Sequence, residues 1–266
     1  MLNVSIVLYN HLLMEIAPLV EMLRKSKLVS EIFLIDNSAA EQLELRSLDA
    51  TYIFNGKNIG YGAAHNIAIR QTLQHNVSYH LILNPDIIFL SSVLEKIVGF
   101  MNNNSNVGLL MPKVYYPNGE IQYLCKLLPT PFDLIFRRFL PKYWTKKRTE
   151  RFELHGSGYN RIMNVPYLSG CFMFLRTESI RRVGMFDERF FMYPEDIDLT
   201  RRIHRDYRTV FYPDASVIHQ HVRGSYTNIR LLFIHINNMI KYFNKWGWFF
   251  DNERRNINKD TLKQLE

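Results

Sequence analysis

Cysteine is scarce in this 266-residue chain: Cys125 and Cys171 stand far apart, without a second thiol or a metal-type spacing near either. That excludes a disulfide framework and a cysteine-held zinc site. Apolar runs are short as well. None reaches the roughly 18 residues that would span a bilayer, so no membrane span is expected. No basic leader precedes the apolar run that opens at Val4, and the expectation is a cytoplasmic location, at the inner face of the membrane if the chain meets one. Acidic residues are outnumbered, 25 against 33 lysines and arginines, for a net charge of +8 and a pI near 9.4. An excess of that size suits any anionic partner and cannot choose among nucleic acid, acidic lipid and a phosphorylated substrate.

What is present describes an ordinary globular protein. With 47% hydrophobic and 22% charged residues, disorder is not the default, and the length fits one large α/β domain with a helical appendage. Short β-branched runs at 4–8, 31–35, 51–54 and 79–83 alternate with helix-length stretches at 13–25 and 63–73. This interleaving predicts βαβ units and a mainly parallel sheet. Ligands bind such sheets outside the carboxyl ends of the strands. Tyr9 and Asn10, Asp36 and Asn37, the stretch 55–62, and Asn84-Pro85-Asp86 all fall at that edge. Turns favour these residue types for their own reasons, so the signal lies in their recurrence at one edge.

Periodicity fades over about 126–161, a basic and aromatic insertion that includes Phe136, Arg137, Arg138, Phe139, Tyr143, Trp144, Lys146, Lys147 and Arg148. It reads either as a packed insertion with a solvated basic face or as an element lying on an anionic bilayer or near a lipid-linked acceptor. Further strands are expected at 171–175 and 209–212, short helices from 178 and 195, and an aromatic helix over 228–250 with a charged, frayed end.

Chemistry can be carried by few groups. Asp86, at the end of an apolar strand, could bind a divalent cation that bridges a diphosphate. Glu195-Asp196-Ile197-Asp198 opens a helix, where acids complement the dipole and where a carboxylate kept ionised could act as a general base. His219 and His221 flank Gln220 and would point the same way on a strand. Gly60-Tyr61-Gly62 enters a helix without the third glycine of the dinucleotide fingerprint.

Taken in chain order, Val4-Ser5-Ile6-Val7-Leu8-Tyr9-Asn10, Ile35-Asp36-Asn37-Ser38, the stretch from Asn55 to Asn66, Leu83-Asn84-Pro85-Asp86, the stretch from Gly184 to Leu199, and Val217-Ile218-His219 resemble glycosyltransferase family 2, in particular its rhamnosyltransferase-like branch. The resemblance implies a GT-A fold, a Rossmann-like α/β architecture with a mixed, mainly parallel sheet flanked by helices, over 1–225, followed by a helical extension over 226–266. It implies an inverting transfer of a sugar, with rhamnose favoured, from a dTDP- or UDP-linked donor to an acceptor hydroxyl in cell-surface polysaccharide synthesis. Tyr9, Asn10, Asp36, Asn37, Asn58, Gly60, Asn66, Asn84 and Asp86 would line the donor pocket, with Asp36 against the nucleotide base. Asp86 and His219 would hold Mg²⁺ or Mn²⁺, Asp196 would be the base with Glu195 beside it, and Gly170 would lie at the acceptor. Asn84 departs from the family pattern, standing where many relatives carry the first acid of the metal motif.

Two other readings compete: a catalytically silent nucleotide-sugar-binding subunit, and a sugar-phosphate nucleotidyltransferase. The second calls for a glycine-rich basic loop near the start, which Val7-Leu8-Tyr9-Asn10-His11 is not. Nucleic acid is not an expected partner, because the basic residues gather in the insertion without a recognised binding motif.

Overall fold

A computed structural model describes residues 1–135, 140–220 and 229–265. His221, Phe136 to Phe139 and the boundary expected at 225/226 lie outside the described residues. The chain begins β1 (Leu2–Leu8), α1 (Leu13–Arg24), β2 (Val29–Asp36), β3 (Thr51–Phe54), α2 (Tyr61–Gln74), β4 (Tyr79–Leu83), β5 (Ile87–Ile88), α3 (Ser92–Asn103) and β6 (Val107–Tyr115). It continues with β7 (Cys125–Lys126), α4 (Pro131–Leu134), α5 (Lys142–Phe152), β8 (Met163–Asn164), β9 (Tyr167–Leu168), β10 (Phe172–Arg176) and α6 (Thr177–Val183). The last elements are α7 (Glu195–Asp206), β11 (Arg208–His219), α8 (Ile229–Trp246) and α9 (Asn252–Lys263).

Among the described residues the main sheet runs β3-β2-β1-β4-β10-β6-β11-β5, with β8 added on β11. β3, β2, β1 and β4 are parallel, β10 is antiparallel to both of its neighbours, and β6 and β11 are again parallel. Side chains alternate across it, as a pleated strand requires. Leu2, Val4, Ile6 and Leu8 of β1, Leu81 and Leu83 of β4, and Phe172 and Phe174 of β10 face one way, and pack with Ile16, Leu19 and Leu23 of α1 and with Leu94 and Ile97 of α3. Ile82, Met173 and Leu175 face the other way, towards Ile69 of α2, Ile180 of α6 and Leu199 and Ile203 of α7. Each such side chain contributes about 1.5–3 kcal/mol on burial.

One patch of the second layer is polar. Ser5 Oγ lies 2.7 Å from His65 Nδ1 and 2.9 Å from His80 Nε2, and Thr72 Oγ1 lies 2.8 Å from His80 Nδ1. All four residues are fully buried between β1, β4 and α2. Burial pushes His80 down to about 3 and His65 well below its ordinary value, so both rings are neutral.

The end expected to fray is instead helix α9. Asp251 caps it, accepting from Arg254 N, and also takes both terminal nitrogens of the buried Arg201 on α7 at 2.8 and 2.9 Å. Glu253 adds bonds to Arg201 and Arg205. Charge pairing docks the start of this segment, and Ile257, Leu262 and Leu265 pack against the core further along it.

Candidate active site

The carboxyl ends of β1, β2 and β4 open onto a cleft of about 1350 Å³, whose lining includes Tyr9, Asn37, Asn58, Tyr61, Asn84, Asp86 and His219. The opposite wall comes from α8, through Ile234, Asn237, Asn238 and Lys241. Asn238 fastens that helix to the loop before α7, accepting from Phe191 N at 3.3 Å and donating to Met192 O at 3.2 Å. The helical extension is therefore part of the site's wall.

Several expected donor residues stand one layer back. Asp36 is fully buried: its Oδ1 accepts from the Ser38 N–H and hydroxyl, and its Oδ2 from the Tyr52 hydroxyl at 2.6 Å. Ser38 Oγ in turn accepts from Asn10 N, where the chain turns with φ 58°. Asp36 thus organises the corner and spends both oxygens there. Asn66 does not line the cleft either. Its amide bonds Phe186 O, Phe186 N and Glu188 and pins the 184–188 loop to α2. Gly60 has φ +96°, and a Cβ there would come within 2.6 Å of Phe191 O, so only glycine lets the two loops touch. Its carbonyl accepts from Asn37 Nδ2 at 3.2 Å, and Asn58 Oδ1 receives its N–H at 3.0 Å.

β4 and β11 bring Asp86 and His219 together across more than a hundred residues. His219 Nε2 lies 3.3 Å from Asp86 Oδ1, with Asn84 Nδ2 at 3.4 Å. The ring is oriented by Gln122, whose Nε2 donates to His219 O at 2.8 Å, leaving its Oε1 2.9 Å from His219 Nδ1. Nδ1 therefore faces an acceptor, and Nε2 is the ring atom turned towards the Asp86 carboxylate. A ring nitrogen beside a carboxylate oxygen is a donor set that fits a divalent cation. Two protein ligands are the number such an ion uses when phosphate and water complete its shell. Among the described residues no cluster of three or more potential ligands occurs.

Glu195 and Asp196 are both buried in the first turn of α7. Asp196 Oδ2 accepts from Gly170 N at 2.9 Å and its Oδ1 from Ile197 N at 2.7 Å. Burial raises Asp196 to about 6, against the pull of those N–H groups. Burial and the Asp196 charge push Glu195 well above the usual carboxylate range, and its Oε2 makes no hydrogen bond among the described residues. At neutral pH the pair is one ionised aspartate beside one protonated glutamate. Tyr61 stands between this pair and the cleft, its hydroxyl shared by Gly170 O at 2.8 Å and Asn84 Oδ1 at 3.0 Å. Sequence reasoning assigned no role to Tyr61 or Gln122. Tyr61 had a signal, as the first helical residue after the glycine turn, whereas Gln122 had none.

The strand order and a cleft at the parallel carboxyl edge define a GT-A glycosyltransferase architecture. GalNAc-T7, solved with UDP, GalNAc and Mn²⁺, superposes with a TM-score of 0.68 at 16% identity, over 96% of this chain and 49% of that one. The family model for glycosyl transferase family 2 matches residues 4–184, and the chain belongs to that family. It is 27% identical over 179 residues to the N-acetylglucosaminyl-diphospho-decaprenol L-rhamnosyltransferase of Mycobacterium tuberculosis, covering 62% of this chain and 56% of that protein. It is also 27% identical over 183 residues to the low-salt glycan biosynthesis hexosyltransferase Agl10 of Haloferax volcanii, covering 67% and 54%. The chain spans about half the length of these curated relatives.

Proposed function

We propose that the chain is an inverting glycosyltransferase that moves a sugar, rhamnose by preference, from a dTDP- or UDP-linked donor to the hydroxyl of a lipid-linked saccharide during cell-surface polysaccharide synthesis. The observation that carries this reading is one cleft with a cation-type pair, Asp86 and His219, at its lip and an ionised buried carboxylate, Asp196, behind Tyr61 and Gly170. The rhamnose and lipid-carrier parts lean on the mycobacterial relative.

Asn37, Asn58 and Tyr9 receive the nucleotide along the parallel half of the sheet. Asp86 and His219 would hold Mg²⁺ or Mn²⁺, which when bound neutralises charge on the leaving diphosphate. The acceptor hydroxyl attacks the anomeric carbon on the face opposite the departing diphosphate. Asp196 takes its proton, and the two backbone N–H bonds hold that carboxylate ionised and aimed. Glu195, protonated, leaves a single negative charge at the pair.

Thermal denaturation with a panel of nucleoside diphosphates, with and without Mn²⁺, tests the donor half. A metal-dependent rise in melting temperature for one nucleotide, lost in Asp86→Ala, is expected, because a ligand of the folded state stabilises it by mass action. No shift with any nucleotide at millimolar concentration would overturn the reading.

A further inference from the structure

A second cavity lies away from the cleft, between α5 and α9, and its charge is one-sided. Arg148 and Arg151 of α5 and Arg255, Lys259 and Lys263 of α9 line it, against a single acid, Asp133. Asp133 is already held by Arg148 at 2.8 Å. The α9 cations recur at every fourth residue, so one face of that helix carries a row of like charges that repel one another in isolation. The floor is apolar, formed by Leu127, Phe152 and Leu262.

The two helices run in the same sense. Residues 127–130 thread between them: Leu127 N donates to Phe152 O, at the end of α5, while Thr130 meets Arg148 one turn earlier. On the other side Leu128 bonds Asn258, and Pro129 O accepts from Arg254, one turn earlier in α9. The starts of both helices therefore lie at the same end of the groove. Each start carries an exposed aromatic pair. Tyr143 and Trp144 in the first turn of α5 are 85% and 71% exposed, and Phe249 and Phe250, just before α9, are 66% and 89% exposed. That end is also the α4 end, and α4 touches the cleft wall through His235 of α8, bonded to Leu134 O at 3.1 Å.

We propose that this face is a docking surface for an anionic phospholipid bilayer. The aromatic pairs enter the interface, where amphipathic rings are favoured, and the four cations not paired with Asp133 meet the lipid phosphates. Exposed aromatics beside the start of each helix, at the same end of a cationic groove, fit a planar interface better than they fit a charged strand tracking along it. Docking there holds α4 and the cleft wall near the surface from which a lipid-linked acceptor would come. The surface itself does not depend on the transfer reaction, and vesicle binding reads it separately.

Co-sedimentation with phosphatidylcholine vesicles, and with vesicles also containing phosphatidylglycerol, tests it on the intact chain. Binding to the anionic vesicles only, reversed by high salt, is expected. Neutralising one cation weakens binding by about fivefold, so the triple variant Arg255→Gln/Lys259→Gln/Lys263→Gln should lose about a hundredfold. All three are exposed, and an unchanged melting temperature and circular dichroism spectrum will report an intact fold. Trp144→Ala together with Phe250→Ala should weaken binding while leaving its salt dependence in place. No binding to anionic vesicles, equal binding to neutral ones, or wild-type binding by the triple variant would overturn the proposal. So would single-stranded oligonucleotide binding through these residues that displaces the vesicles.

Discussion

At the scale of the residue, the acid pair at the start of α7 sets the chemistry. Asp196 is held at about 6 by opposing causes, burial raising it and two backbone N–H groups lowering it. Transfer should therefore fall as the pH drops through about 6, with a slope of one proton, since the base must be unprotonated to accept. Glu195, Tyr61 and Tyr167 face the same space, all raised and neutral near pH 7, and Lys126 is the cation whose field favours the aspartate. Asp196→Asn should lower the rate by about 100- to 10,000-fold. The same substitution should not lower the melting temperature at neutral pH. A carboxyl raised by burial favours the fold at low pH, and that contribution is lost as pH rises through its folded pKa of about 6, so at neutral pH its ionised form weighs against the fold. A rate within tenfold of wild type would remove Asp196 from the base role. Asp86, Asp196 and Asn58 could be picked out from short motifs because each sits beside its strand end or helix start. The orientation of His219 could not, since Gln122 is 97 residues away and reaches it only through the fold.

At the scale of the element, α7 is both the carrier of the acid pair and the anchor for the extension. Asp198, fully buried, accepts from Arg202 and from Trp246 of α8, both at 2.8 Å, while Arg201 is clamped by Asp251. Asp251→Ala removes a cap and one partner of a buried ion pair, leaving Arg201 with Glu253. A loss of about 3–5 kcal/mol is expected, read as a fall in melting temperature on the order of 10 °C. A loss under about 1 kcal/mol would show that α9 is not held this way. The strands with unbroken β-branched runs, β1 to β4, were legible beforehand. β6 was not, because Gly108 and Pro112 interrupt it. Both have physical reasons: a Cβ at Gly108 would lie 2.7 Å from Tyr207 Cβ, and Pro112 pairs at the point where the β11 register shifts between Tyr212 and Ser216. That bulge also hid the continuation of β11 from 212 to His219, since Pro213-Asp214 reads as a turn.

At the scale of the whole molecule, a mixed, mainly parallel sheet and the edge on which the cleft opens could be read from the alternation of strand and helix, whereas the order of the strands and the far wall of the cleft could not. α8 closes the cleft although its sequence shows only an aromatic amphipathic helix, and nothing local says which surface such a helix will cover. The polar patch beneath α2 has a consequence for the chain as a whole. His65 and His80 are kept neutral between β1, β4 and α2, and once unfolded they take up protons near pH 6.5. A group whose folded pKa is depressed stabilises the fold above its unfolded pKa and loses that contribution as pH falls towards the folded one. For His80, bounded at about 3, the loss approaches 1.4 kcal/mol for each pH unit below 6.5, and His65 adds to it in the same direction. Asp196 and Glu195, raised by burial, gain stability over the same range and oppose this loss, so the histidine effect is read as a difference: from pH 6.5 to 4.5 the urea midpoint of wild type should fall relative to that of His80→Gln. A constant separation between the two midpoints across that range would refute it. Two buried imidazoles thus make acidity a load on the fold itself, separate from the pH at which its chemistry stops.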